Sequence, residues 1–265
     1  MKEKIRKILG TLLFIALISC LFYLIFFSNK KTNEGEIKMI ELTGNHLLSA
    51  DEYLAFARLG DKSQYGGLTL PDIKNRFANH PYISKVDVED EGNNQVKVYL
   101  TEKKIEAVLL TAGEPRFITD DFQVLSILPK AKFTDLPVIS NPGNEKEIKL
   151  LSYLKTEDIV EAFKIIDASW LTNESMSQKL SEINLRNGGD IILSFSGLKP
   201  PVLFGHGEAA KKMVYLDLMW NSPEGNNLID SSEYIDLRFA DEIFVGSTVS
   251  ENNSSSPTQK IGLSE

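Results

Sequence analysis

The sequence predicts an α+β protein: a single N-terminal transmembrane helix, then a compact β-α-α-β-β module, then a second mixed, β-rich domain with two helices. Three observations carry this reading. An apolar run without a charge, Ile8 to Phe27, stands near the start. Between Ile37 and Lys104, helix-spaced apolar residues are followed by strict alternation. Past Lys104 the texture changes to short strands divided by turn signals. The expected division is a cytoplasmic tail at 1–7, a membrane helix at 8–27, a linker at 28–36, the first module at 37–104, the second domain at 105–246 and a disordered tail at 247–265.

The membrane helix rests on length and flanking charge. Residues 8–27 match a hydrocarbon core of roughly 30 Å at about 1.5 Å rise per residue. Lys2, Lys4, Arg6 and Lys7 precede the run, and only Lys30 and Lys31 follow closely, which places the N-terminus in the cytoplasm and the bulk outside. A cleaved signal would have a shorter apolar core ending in small residues, whereas this one continues through Leu21 to Phe27. Leu17-Ile18-Ser19-Cys20 resembles a lipobox, but the stretch after Cys20 is apolar where a lipidated protein continues with a polar tether, so Cys20 is read as a small hydrophobe.

In the first module, Ile37 to Leu42 is an extended stretch ending at the turn Thr43-Gly44-Asn45. Ser49-Ala50-Asp51-Glu52 reads as a capping box opening a short helix with Tyr53, Phe56 and Ala57 on its apolar face. A second helix carries Leu70, Ile73 and Phe77, with Pro71 in its first turn, and His80-Pro81 stops it. Ile83, Val86 and Val88 lead into Asp90-Glu91-Gly92-Asn93-Asn94, after which Val96, Val98 and Leu100 alternate with Lys97, Tyr99 and Thr101: a hairpin with one buried face.

In the second domain, the expected strands are 107–110, 116–118, 124–127, 137–139, 180–185, 191–195, 201–205, 234–239 and 243–245. Asn187-Gly188-Gly189-Asp190 supplies a hairpin turn. Ile159, Phe163, Ile166 and Trp170 mark one helix, and Ala209, Met213, Leu216 and Trp220 the other.

Composition narrows the function. With 29 Lys+Arg against 37 Asp+Glu the chain carries −8, and because residues 1–31 carry +5, the remainder carries −13. So acidic a body argues against a nucleic-acid surface. A lone Cys permits no intramolecular disulfide or CxxC pair. Of the three His, none lies in a metalloprotease or nucleophile-elbow motif; His46, His80 and His206 read as loop residues, and His206-Gly207-Glu208 lacks a third metal ligand by spacing. The acidic pairs around Asp90 and Asp120 have no calcium-loop spacing. No catalytic, cofactor-binding or metal residue is assigned, and no small-molecule substrate is expected.

What remains is strand pairing. A small sheet leaves edges with unpaired N–H and C=O groups. The last β-prone segment, Tyr234 to Val245, is the natural edge of the second domain; Ile235 and Leu237 are expected in its core.

The order of these parts resembles the FtsQ/DivIB family of bacterial cell-division proteins, whose first module is a POTRA domain. Ile40-Glu41-Leu42-Thr43-Gly44-Asn45 with Leu48-Ser49, then His80-Pro81-Tyr82-Ile83 with Val86-Asp87-Val88, then Lys211 in the helix after Leu203-Phe204-Gly205, and finally Ile235-Asp236-Leu237-Arg238-Phe239 are similar to its motifs in sequence order. Where the family has Glu-Arg-x-Pro-x-Ala, the chain keeps Glu102 and Ala107 alone. The resemblance implies a non-enzymatic single-pass scaffold in the cytoplasmic membrane at the division septum. It would bind FtsB- and FtsL-like proteins and other divisome components and help regulate septal peptidoglycan synthesis. Arg238, Phe239, Ile243, Phe244 and Val245 are the implied partner-binding residues. A membrane-anchored POTRA adaptor for transport or chaperoning is the alternative, and an exported hydrolase built from distant residues a third.

Overall fold

The computed structural model describes residues 10, 13–23, 37–111, 113–133, 135–143, 148–239, 242–246 and 259–262. Residues 13–23 are helical, but among the described residues no helix is long and apolar enough to cross a membrane. Most of the flanks of the expected span, and the linker 28–36, lie outside the described residues. The rest divides into two compact units, one containing residues up to 43, 50–79 and 86–100, the other 44–49, 80–85 and 101 onward.

The first sheet has three strands, β1 (Met39–Thr43), β2 (Ile83–Gly92) and β3 (Gln95–Glu102), in the order β1-β3-β2. β1 runs parallel to β3, with Ile40 opposite Val96 and Leu42 opposite Val98. The hairpin turn falls on Asn93 and Asn94, both at positive φ (53° and 68°), the twist that lets two residues reverse a strand pair. The acidic stretch expected in the turn, Asp90 to Gly92, continues β2 instead. Val96, Val98 and Leu100 are buried and alternate with more accessible residues, as the pattern requires.

Helix α1 (Ala50–Phe56) buries Tyr53, while Phe56, expected on the same face, is 48% exposed. Leu59, just past the helix, is buried in its stead and receives a hydrogen bond from the Tyr65 hydroxyl at 3.0 Å on its carbonyl. A 3₁₀ turn at Lys62–Tyr65, opened by Asp61, fills the glycine-rich break. Helix α2 (Leu70–Ala78) begins with a capping box between Thr69 and Asp72 and buries Ile73 and Phe77.

The second unit is built on a ten-stranded sheet. Its strands are β4 (Ile105–Leu109), β5 (Arg116–Thr119), β6 (Val124–Ser126), β7 (Val138–Ser140), β8 (Leu180–Asn184), β9 (Ile192–Phe195), β10 (Val202–Leu203), β11 (Tyr234–Asp236), β12 (Glu242–Gly246) and β13 (Gln259–Gly262). Their spatial order is β13-β12-β11-β10-β9-β8-β7-β4-β5-β6. β7 is parallel to both β4 and β8, β10 is parallel to β11, and the other pairs are antiparallel.

The helices are α3 (Glu157–Thr172), α4 (Glu174–Lys179), α5 (Ala209–Asn221) and α6 (Pro223–Asp230). Two of them, α4 and α6, were not expected; each follows a longer helix through a single capping residue, Asn173 or Ser222, whose side chain accepts from the new first turn. In α3, Ile159, Phe163 and Ile166 enter the core, but Trp170 is half exposed. In α5, Met213 and Leu216 are buried, and the partly buried Trp220 meets Phe195 edge-on at 5.7 Å between centroids.

A larger difference lies at the C-terminal end. Residues 259–262, within the stretch expected to be disordered, form β13 antiparallel to β12.

Candidate partner-binding edge

The end of the sheet that carries the candidate residues is held by one arginine. Strand β11 ends at Asp236, a 4% exposed carboxylate that Arg238 grips with two donors, Nε to Oδ1 at 2.9 Å and Nη2 to Oδ2 at 2.6 Å. The Arg238 backbone N–H donates to the same Oδ1 at 3.0 Å, and Nη1 reaches Asp190 Oδ2 at 2.7 Å, across the turn that precedes β9. A bidentate guanidinium–carboxylate pair fixes direction as well as charge. Hydrogen bonds to Asp236 first and Asp190 second raise the Arg238 pKa, and the bond from Arg238 holds the Asp190 carboxyl below its usual range. Gly205 sits at φ +64°, and a Cβ there would lie 2.8 Å from Arg238 Cγ, so glycine is what lets the arginine stem lie flat against the strand end.

A second cluster stands beside it. His206 Nδ1 meets Glu161 Oε2 at 2.9 Å, and Nε2 meets the Gly189 carbonyl at 3.1 Å, so both ring nitrogens face acceptors. The bond to Glu161 raises the His206 pKa above its ordinary value. For Glu161, burial pushes upward, but the Gly207 N–H and His206 outweigh it and the pKa falls. Lys212, 6% exposed, donates through Nζ to the Phe204 and His206 carbonyls, both at 2.8 Å, and burial lowers its pKa. These contacts tie α3 and α5 to the loop after β10. The sequence reading of His206 as an unengaged loop residue missed this because Glu161 is 45 residues away.

The five candidate residues therefore separate into three kinds. Ile243 and Val245 are buried at 1% and 6%, their side chains in the core. Arg238 is committed to Asp236 and Asp190. Phe239 is 53% exposed and meets the half-buried Phe244 edge-on at 4.9 Å between centroids, forming an aromatic pair at the sheet's end. Ile235 and Leu237 lie in the core, as expected. The segment Tyr234 to Val245 is not itself a free edge: β12 is paired on one side with β11 and on the other with β13.

Elsewhere in the second unit a cavity of about 760 Å³ is lined by Glu106, Leu136, Ile166, Asp167, Trp170 and Leu171 among others. Glu106, buried at the bulge between β4 and β5, is covered there by Lys104 at 2.8 Å. Among the described residues no group of three His, Cys, Asp or Glu is placed to hold a metal ion.

A small three-stranded module with two helices, followed by a long mixed sheet with a surface aromatic pair near its C-terminal strands, defines a class of protein: a two-module α+β protein. The comparisons with known proteins make it particular. Residues 36–103 match the POTRA domain of FtsQ type, and residues 107–238 match the C-terminal region of cell division protein FtsQ/DivIB. The chain is 24% identical over 243 residues to a cell division protein FtsQ of Geotalea daltonii, covering 92% of this chain and 87% of the relative. It is 25% identical over 141 residues to a cell division protein DivIB of Bacillus cytotoxicus, covering 52% of this chain and 54% of the relative. A cell division protein FtsQ of Bradyrhizobium diazoefficiens matches at 26% over 113 residues, 43% of this chain and 33% of the relative. The chain belongs to the FtsQ/DivIB family of cell-division proteins, and its role is in the division machinery through protein–protein interactions.

Proposed function

We propose that the chain is a single-pass scaffold anchored by residues 8–27, with its N-terminus in the cytoplasm and the modules at 37–104 and 105–246 outside, and that it acts at the septum. The second module receives FtsB- and FtsL-like partners by strand pairing at its β12 end. Holding that pair at the septum is how it contributes to the control of septal peptidoglycan synthesis. The work is done by binding and not by catalysis.

The observation that carries this reading is the Phe239–Phe244 pair at the terminal strands of the sheet, within a family of division proteins. Large aromatic side chains left at a surface beside main-chain pairing groups supply anchor area, and the strand supplies register. Arg238 serves as the brace that holds Phe239 in place through Asp236.

The test is capture of partners by the full chain from detergent-solubilised envelopes of its own host, beside a Phe239→Ala/Phe244→Ala variant whose circular dichroism matches the parent. Recovery of FtsB- and FtsL-like proteins by the parent and their loss from the folded variant is the expected result. Recovery of secretion components in their place would overturn it.

A further inference from the structure

We propose that residues 259–262 are an internal competitor for the partner edge, so that the chain carries its own removable cover. This rests on the reading that β12 is where a partner strand pairs. A strand has two hydrogen-bonding edges. In β12 one is taken by β11, with Ile235 opposite Val245 and Asp236 opposite Phe244. The other is taken by β13, with Glu242 opposite Gly262, Ile243 opposite Ile261, Phe244 opposite Lys260 and Val245 opposite Gln259. An incoming extended segment that pairs with β12 must displace β13.

The cover is built to be displaced. It is four residues long, contains Gln and Lys and ends in Gly, so its own strand preference is slight. Twelve residues, 247–258, separate it from β12, and a strand tethered at that length acts at an effective concentration on the order of millimolar. That suffices against weak mimics of a strand, while a partner that also engages Phe239 and Phe244 wins. The apparent affinity of such a partner is reduced by the fraction of molecules in which the edge is open.

The register also states what the competitor looks like. Directly opposed residues of an antiparallel pair share a face. The position opposite Ile243 is on the core face and calls for an apolar residue; the position opposite Phe244 is on the outer face and suits a long aliphatic or basic side chain. The displacing partner is an extended segment that alternates in this way.

The experiment uses three forms of the full-length chain carrying Cys20→Ser in the same detergent: the parent, a form ending at Gly246, and a Glu242→Cys/Gly262→Cys form locked by a disulfide. Hydrogen exchange is read at residues 242–246, and affinity is read for the purified FtsB–FtsL-like complex of the same host. Removal of the tail is expected to speed exchange in β12 and to tighten binding about three- to tenfold. The lock is expected to abolish binding until dithiothreitol restores it. Unchanged exchange on truncation would overturn the proposal, because β13 would then cover nothing. Faster exchange with equal affinity in all three forms would overturn the competition while leaving binding itself intact. Faster exchange with no binding by any form would sink the reading of the edge as a partner site, and the proposal with it.

Discussion

The two ends of the ten-stranded sheet are finished by different means. At the β6 edge the closure is interior: Val124 donates to the Ser152 carbonyl at 2.9 Å, Leu151 donates to the Val124 carbonyl at 2.7 Å, and the fully buried Tyr82 hydroxyl donates to Ser126 and accepts from Leu128, both at 2.8 Å. At the β12 edge the closure is four residues of main chain at the far end of the sequence, next to an exposed aromatic ring. A side chain that uses both hydrogen-bonding roles of its hydroxyl in the interior makes a permanent seal. A pairing only four residues long is the seal proposed to open. On the proposed reading one end of the sheet serves stability and the other serves exchange with partners.

The comparison breaks first at Tyr82. Tyr82→Ala is expected to cost about 3–5 kcal/mol in urea unfolding, through the cavity left beside Phe117 and His80. Tyr82→Phe keeps the ring and leaves the Leu128 N–H without its acceptor, for about 1–3 kcal/mol. A result near zero for both would mean that the β6 edge is no more firmly sealed than the other.

The next effect is in pH. Burial pushes the pKa of His80 down to about 4 from 6.5, and its Nδ1 accepts the Tyr82 N–H at 3.1 Å. The unfolded chain takes up this proton near pH 6.5 and the folded chain only near 4, so the stabilising contribution is whole above pH 6.5 and is lost as pH falls towards 4. About 3 kcal/mol disappears over that window, and His80→Gln should flatten the dependence measured by chemical denaturation. His206 has the opposite sign: its raised pKa makes a contribution that is whole below pH 6.5 and fades above its folded pKa. It is largely exposed, so the loss at mildly alkaline pH should be small.

Smaller again is Arg238→Ala, which strips the donors from the buried Asp236 carboxylate and should cost about 2 kcal/mol, with partner binding weakened through the loosened position of Phe239. Smallest is removal of the residues after Gly246, expected to change unfolding free energy by less than about 1 kcal/mol, since a cover that is to be displaced can add little to the closed state. A larger loss would move the β12 edge into the same class as the β6 edge.

Elements with a clear period could be read from the sequence: β3 from the alternation of Val96, Val98 and Leu100, α2 from Leu70, Ile73 and Phe77, α3 from Ile159, Phe163 and Ile166. The family order was readable from Gly44-Asn45, His80-Pro81-Tyr82 and Asp236-Leu237-Arg238-Phe239. Pairings across long separations were not. Glu102 accepts from the backbone of His46 and Leu47, and Arg238 reaches Asp190 over 48 positions, contacts to which no local pattern points. The short helices α4 and α6 were missed because each is one or two turns set by a single cap. β13 was missed because Gln-Lys-Ile-Gly shows no alternation, and its strand state comes from the partner it finds.

The strand order has a further consequence, for assembly. From the β4–β5–β6 end the sheet continues through β7, β8, β9, β10, β11, β12 and β13, so each new strand docks beside one made shortly before it. A sheet laid down in this sequence can grow as the chain is delivered, without waiting for its far end. On the proposed reading the partner edge β12 and then its cover β13 are the last strands to join. A chain stopped before Glu242 would then carry the earlier strands without the proposed docking strand, whereas one stopped after Gly246 would carry that strand without its cover.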